Sequence, residues 1–285
     1  MGQQREPWIA WGRSSGATTL VTVVGLSLAA GLDSLSVLGA GGTRVAIALY
    51  GDSAMGELAA LVIAYAVWQL EPGLTRSTWL LIGAGVFADA IGDGLWASGA
   101  ASLNSAASLG VNLGDVFYLA TYVLFAFAVV RWVAAQRERV DLAWIATESL
   151  VAAAVVGATV WVALLSPALR AQRAMTAAVA IDVGWVVADF PLLVAPTLLL
   201  ALALLRLGDE RLASAWFTFS VAMVLVVLAD VGWFWERSHG GWAPGSLVDF
   251  AFMASNVLIA VSALTALDIQ TDSKPRKRVA SQLPA

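Results

Sequence analysis

Cysteine is absent from the 285 residues, and histidine occurs only once, as His239. The lack of cysteine excludes disulfides, thiolate metal sites and cysteine nucleophiles, and a single histidine excludes a histidine-rich metal centre. Lysine occurs only as Lys274 and Lys277, in a polar C-terminal segment. A retinal Schiff base needs a lysine inside the helix bundle, so a rhodopsin-like chromophore is excluded as well.

Charge is also scarce, since 13% of the residues are charged and 60% are hydrophobic, with a mean hydropathy of +0.80. Soluble domains are about 25% charged. The 16 basic and 20 acidic side chains give a net charge of −4, which offers no basic surface for phosphates, so nucleic-acid binding is not expected. The composition predicts an all-α polytopic protein of the lipid bilayer.

Eight segments have the roughly 20 mostly apolar residues that a bilayer-crossing helix needs. They cover residues 17–37, 47–70, 77–97, 113–133, 143–166, 181–205, 212–235 and 247–267. The predicted organisation is a cytoplasmic N-terminal segment (1–16), an eight-helix membrane domain (17–267) and a disordered cytoplasmic tail (268–285). Pro191 and Pro196 predict a kink or a break in the sixth helix.

The distribution of basic residues predicts the orientation of these helices. Twelve of the 16 lysines and arginines lie in the N-terminal segment, in the tail, or in the loops after the second, fourth and sixth helices. The other four lie in the opposite loops or beside them: Arg44, Arg170, Arg173 and Arg237. Cytoplasmic loops carry the excess of lysine and arginine. Both termini are therefore expected in the cytoplasm of a cell membrane, typically a bacterial inner membrane.

An internal repeat of helical hairpins places aspartates at one end of the predicted bundle. The even-numbered helices carry an aspartate near their starts, and three odd-numbered helices carry one near their ends. These residues are Asp33, Asp52, Asp93, Asp115, Asp189, Asp230 and Asp249. Four repeated hairpins would gather them at one depth on the outer side. Trp96, Trp185, Trp233, Trp235 and Trp242 are expected in or near the same layer.

Two interpretations of this layer remain open at the level of sequence. Asp52, Asp115, Asp189 and Asp249 could cap helix N-termini, and the tryptophans could form an interfacial belt. Capping does not explain Asp33, Asp93 and Asp230, because a carboxylate at a helix C-terminus opposes the dipole. Acids within a membrane are costly and suggest function. They could bind a cation or an amine between tryptophan faces, or sense protons.

The run GAGVFADAIGDGLWA, followed by LGDVFYLATYVLFAFAVV, resembles paired helices of a known family. The family is the multi-pass N-terminal sensor region of actinobacterial GGDEF/EAL cyclic-di-GMP signalling proteins. Asp93, Trp96, Asp115, Tyr118 and Tyr122 match its pattern, and the similarity extends over about residues 75–267.

The chain also departs from that family. Val123 stands where the family has proline, and the 18 residues after the eighth predicted helix contain no GGDEF or EAL sequence. The resemblance therefore implies either a stand-alone relative of the sensor region or a truncated piece of a longer protein, and the residues for cyclase or phosphodiesterase activity are not carried over.

The sequence thus predicts a membrane sensor or input module that binds a small ligand or cation and signals to a cytoplasmic partner. The expected ligand-binding residues are Asp93, Trp96, Asp115, Tyr118, Tyr122, Asp189, Asp230, Trp233 and Asp249. The alternatives are a transporter or lipid-handling protein, and a structural subunit of a larger, tryptophan-rich membrane complex that could hold pigments. No P-loop, zinc-protease motif or nucleophile–base pair is visible, so an enzyme is not expected, and no cofactor or metal is indicated.

Overall fold

The chain folds into a bundle of long helices in the computed structural model, which describes residues 16–39, 42–103, 112–135, 138, 141–171, 177–239 and 243–273. The helices are α1 (Gly16–Leu38), α2 (Gly42–Gln69), α3 (Leu74–Leu103), α4 (Leu113–Ala135), α5 (Leu142–Val160), α6 (Ser166–Ala171), α7 (Ala177–Asp189), α8 (Ala195–Arg206), α9 (Glu210–His239) and α10 (Leu247–Ser273). No strand occurs within these ranges, so the predicted all-α class is confirmed for the described part of the chain.

Within the described residues, seven helical segments are long and apolar enough to cross a membrane, judged by length and composition. They are Gly16–Leu38, Thr43–Gln69, Leu74–Gly99, Leu113–Ala135, Val183–Arg206, Glu210–Arg237 and Leu247–Thr271. Each is as long as the hydrocarbon core requires. These seven helices support a multi-pass membrane protein, with a lipid bilayer as its surroundings.

The fifth predicted span is the one that does not reach this length. Residues 143–166 fall on α5, on a π-helical turn at Trp161–Leu165 and on the start of α6. The apolar part of this region, Leu150–Ala163, is shorter than a full span. The eighth span and the four-hairpin repeat therefore stay predictions.

The sixth predicted helix is interrupted where its prolines led us to expect a break. A π-helical turn, Phe190–Val194, separates α7 from α8 and contains Pro191. Pro196 lies in the first turn of α8, where its missing N–H costs no intrahelical hydrogen bond. Such π-helical turns are frequent at functional sites, and this one directly follows Asp189.

Helix α10 has a central position, since it packs against α1, α2, α3 and α9. It also extends further than the sequence suggested, because its last residue is Ser273 and Asp268 accepts a hydrogen bond from Thr18 on α1 (2.7 Å). The predicted disordered tail therefore cannot begin at residue 268. Residues 274–285 lie outside the described ranges.

Glycine and small polar residues allow α2, α3 and α4 to approach closely. A Cβ added at Gly83 would lie 2.8 Å from Ile63 of α2, and Gly85 faces Phe125 of α4. The Ser53 hydroxyl donates to the Ala90 carbonyl across the α2–α3 interface at 2.9 Å. Small residues with interhelical hydrogen bonds are typical of helix packing in membranes.

We expect Ser53→Ala to lower the free energy of unfolding by about 0.5–1.5 kcal/mol, because the hydroxyl is lost from a buried interhelical hydrogen bond. The measurement is an SDS unfolding titration in mixed micelles. Ser34→Ala is the matched control, since the exposed Ser34 hydroxyl bonds only within its own helix, to Ala30. Equal stability of the two variants would contradict this expectation.

Candidate functional site

A partly enclosed cavity of about 190 Å³ lies among α2, α3, α4, α7, α9 and α10. Six aspartates line it, and Arg237 is the one cationic side chain among the lining residues that the structure describes. The six are Asp52, Asp89, Asp93, Asp115, Asp230 and Asp249. The cavity is therefore strongly acidic, although it lies within a bundle of apolar helices.

The structure brings the sequence-predicted ligand-binding residues together. Eight of the nine line this cavity: Asp93, Trp96, Asp115, Tyr118, Tyr122, Asp230, Trp233 and Asp249. The ninth, Asp189, is fully buried beside it and accepts a hydrogen bond from the Tyr122 hydroxyl. Of the wider predicted layer, Asp33 lies on α1 outside the lining. Trp235 is 42% exposed, and Trp242 lies outside the described residues.

Two tyrosines on α4 connect three helices through aspartates. Tyr118 donates to Asp93 of α3 at 2.7 Å, and Tyr122 donates to Asp189 at the end of α7. The tyrosines are four residues apart and so lie on one face of α4. Ligand contacts at either aspartate would therefore compete with a hydrogen bond that holds two helices together.

Aromatic rings form the other part of the cavity wall. Trp185 stacks on Tyr122 with ring centroids 5.1 Å apart, and it meets Tyr118 edge-on at 6.4 Å. Trp96 and Trp233 form a second edge-to-face pair at 5.3 Å. Because aromatic faces attract ammonium groups, the wall suits an organic cation as well as an apolar chain.

The aspartates lie deeper along their helices than the sequence suggested. Asp93 lies ten residues before the end of α3, Asp230 nine before the end of α9, and Asp52 ten after the start of α2. At 1.5 Å per residue these positions are about 14–15 Å from the helix ends. Asp89 lies about 21 Å from the end of α3 by the same rule. Distances to the ends of separate helices do not fix a common depth, since Gly92, next to Asp93, lies against Gly114 in the first turn of α4, next to Asp115. The expectation of one layer on the outer side therefore stays a prediction.

The position of each residue along its helix also decides between capping and other roles for the four acids near predicted helix starts. Asp115 and Asp249 lie in the first turns of α4 and α10, and accept backbone hydrogen bonds from Asn112 (2.8 Å) and Gly245 (2.7 Å). Both act as caps while also lining the cavity. The capping interpretation is wrong for Asp52 and Asp189, because both lie well inside continuous helical segments.

Two buried carboxylate oxygens near the cavity accept no hydrogen bond from the described residues. They are Oδ1 of Asp52 and Oδ2 of Asp189. A buried polar group without a partner costs about 1–3 kcal/mol, and more if it is charged. Such an arrangement persists when a ligand or a functional requirement compensates for that cost.

Sequence reasoning did not include Asp89, Trp185 and Arg237 among the expected site residues, although all three line the cavity. Asp89 had a visible signal, because it precedes Asp93 by four residues and so shares its helix face. Trp185 was expected in or near the acidic layer but not as a ligand-binding residue, and Arg237 had no comparable local signal, since its position depends on how α9 packs. Within the described ranges, no group of three or more acidic or histidine side chains has an arrangement that could hold a metal ion.

Comparison of the chain with family models, curated proteins and solved structures found no match. The fold and the cavity define a multi-pass helical membrane protein with an acidic, aromatic-walled cavity within its bundle.

Proposed function

We propose that this protein is a membrane sensor that binds a small organic cation in the acidic cavity and passes its occupancy to a cytoplasmic partner. The observation that carries this proposal is the lining of six aspartates and one arginine within a bundle of apolar helices. In this proposal both termini are cytoplasmic, and α5 with α6 completes an eighth span.

Electrostatics favours a cationic ligand. Removing a carboxylate from water costs several kcal/mol even after the protein relaxes, and an opposite charge nearby offsets that cost. Asp52 lies within electrostatic range of Asp89, Asp93 and Asp249. A cation among them would relieve this repulsion and provide a partner for the unpartnered Oδ1 of Asp52.

The aromatic wall favours an organic cation over a simple metal ion. Tryptophan is the ring that interacts most favourably with ammonium groups, and Trp96, Trp185 and Trp233 all line the cavity. Alkyl groups beside the nitrogen can pack on the same rings. An amine therefore uses both parts of the site, whereas a small inorganic ion uses only the carboxylates.

The tyrosine–aspartate pairs provide the step from binding to a change in helix packing. An ammonium group that ion-pairs with Asp93 competes with the Tyr118 hydroxyl, which now bonds to that carboxylate at 2.7 Å. Loss of this bond would loosen α3 from α4. A ligand shifts an equilibrium only through contacts that differ between two states, and this exchange of partners is such a difference.

The proposal is tested by thermal unfolding of the detergent-solubilised protein. We expect butylamine hydrochloride to raise the unfolding midpoint by several degrees compared with sodium chloride at equal ionic strength, because a ligand that binds only the folded state stabilises it. Glu57→Gln, an exposed change on the same helix as Asp52, should leave the shift intact. An unchanged midpoint at all butylamine concentrations would count against the proposal.

Transport of the same cation is the second candidate function. The observation that favours it is the π-helical turn at Phe190–Val194, which contributes Leu193 to the cavity lining, because transporters bind substrates at interrupted helices. The test is uptake of labelled tetramethylammonium, which cannot cross lipid unaided, into proteoliposomes. Binding without uptake supports a sensor. Uptake that Asp93→Asn and Asp115→Asn abolish supports a transporter.

A further inference from the structure

The buried aspartates divide into two groups that face different tyrosines. Tyr118 is within electrostatic range of Asp52, Asp89 and Asp93. Tyr122 is within range of Asp89, Asp189 and Asp230. We call Asp52 with Asp93 the first carboxylate pair and Asp189 with Asp230 the second. Asp89 lies between the pairs, because it interacts with Asp93 on one side and Asp189 on the other.

The separation of the two pairs follows from their partners on α4. Tyr118 and Tyr122 are four residues apart in one helix, which corresponds to about 6 Å along the axis. Each tyrosine donates to one member of its pair, Tyr118 to Asp93 and Tyr122 to Asp189. Because each pair is anchored to one of these tyrosines, we take the two pairs to be displaced by about one helical turn.

Each pair also contains one buried carboxylate oxygen that accepts no hydrogen bond from an N–H or hydroxyl group of the described residues, and in the second pair the Asp189 and Asp230 carboxyl groups are hydrogen-bonded to each other. In the first pair it is Oδ1 of Asp52, a residue of the cavity wall, and in the second it is Oδ2 of the fully buried Asp189. A monovalent amine would satisfy only one of these positions. Two ammonium groups about one helical turn apart would satisfy both.

We infer that the cavity takes a linear aliphatic diamine of about four carbons, with one ammonium group at each carboxylate pair. This inference rests on the proposed binding of organic cations. The methylene chain would lie beside Asp89 and along the ring of Trp185, which contacts both tyrosines. In its extended form, 1,4-diaminobutane separates its nitrogens by about one helical turn, so its length matches the displacement of the pairs.

The test is a chain-length series on the unaltered protein by isothermal titration calorimetry, with butylamine and the diamines from 1,3-diaminopropane to 1,8-diaminooctane. We expect the affinity to peak at four or five carbons, about 10- to 100-fold above butylamine, because the second ammonium group binds as part of the same molecule. Diamines no tighter than butylamine would overturn the inference and leave the proposed function standing. If neither butylamine nor any of the diamines binds, the diamine inference and the proposed function are both overturned.

A substitution in the second pair tests the same geometry without relying on chain length. Asp189→Asn should lower the affinity for 1,4-diaminobutane by a clearly larger factor than the affinity for butylamine, because a single ammonium group can still bind at the first pair. Asp33→Asn, the same chemical change outside the cavity, should preserve the diamine advantage. A parallel loss of both affinities in a monodisperse Asp189→Asn protein would contradict the two-pair arrangement.

Discussion

Asp93→Asn is expected to weaken butylamine binding by about 30-fold or more. Removing one partner of a buried charge pair typically costs 2–5 kcal/mol, and about 1.4 kcal/mol corresponds to a tenfold change in affinity. Asp93 lines the cavity, accepts the Tyr118 hydroxyl at 2.7 Å and lies within range of Asp52 and Asp89. It therefore combines a place in the cavity wall with a hydrogen bond that a bound ammonium group would replace.

The variant should remain folded, because asparagine keeps the size of the side chain and its carbonyl oxygen can still accept from Tyr118. Removing one of several mutually repelling carboxylates should even raise the stability of the unliganded protein. Asp33→Asn controls for the chemical change, since Asp33 lies on α1 outside the cavity lining. Calorimetric titration measures both affinities, and equal values for the two variants would be evidence against a role for Asp93 in binding.

Gly92→Val should lower the free energy of unfolding by about 2–3 kcal/mol, because overfilling a packed interface forces side chains and backbone to move. A Cβ at Gly92 would lie 2.7 Å from the Tyr118 ring and 3.2 Å from the carbonyl oxygen of Gly114. The ring has no room to retreat without losing its hydrogen bond to Asp93. The substitution should therefore reduce butylamine affinity as well as stability.

Gly184→Val is the matched control for this change, since no atom lies within 4 Å of a Cβ added there. A β-branched residue has its own small cost in a helix. Apart from that cost, we expect Gly184→Val to change the free energy of unfolding by no more than about 0.5 kcal/mol. SDS unfolding titrations of both variants give the comparison. Similar stabilities would show that α3 and α4 are less tightly packed than the Gly92–Tyr118 contact implies.

The sequence was sufficient to predict the all-α, multi-pass character of the chain and several of the residues that line the cavity. Hydropathy identified helices because apolar length is what a bilayer demands. Eight of the nine expected ligand-binding residues, chosen from the positions of aspartates and aromatic residues, line one cavity. This worked because acids are costly between apolar helices, so their positions in the sequence carry information about function.

The positions of the site residues along their helices could not be predicted in the same way. Hydropathy marks where apolar residues stop, whereas a helix continues as long as its backbone hydrogen bonds do. Helix α3 runs to Leu103 and α9 to His239, past the apolar windows that ended at residues 97 and 235. Asp93 and Asp230 therefore lie two to three turns inside helices whose ends they were expected to mark.

The contribution of Trp185 depends on a different kind of information. Its contacts with Tyr118 and Tyr122 arise from the packing of α7 against neighbouring helices around the π-helical turn. The prolines predicted an interruption of the sixth helix. They did not predict which face of α7 would lie against α4. Contacts between distant helices require the tertiary structure, because no local pattern encodes them.

The most direct test of cation binding compares butylamine with 1-butanol, which has the same carbon chain but no charge, by calorimetric titration of the unaltered protein. We predict that butylamine binds and that butanol does not bind measurably, because the aspartates interact with the ammonium group and the aromatic wall alone offers little to so short a chain. Equal binding of the two compounds, or binding of butanol alone, would contradict a cavity built for cations.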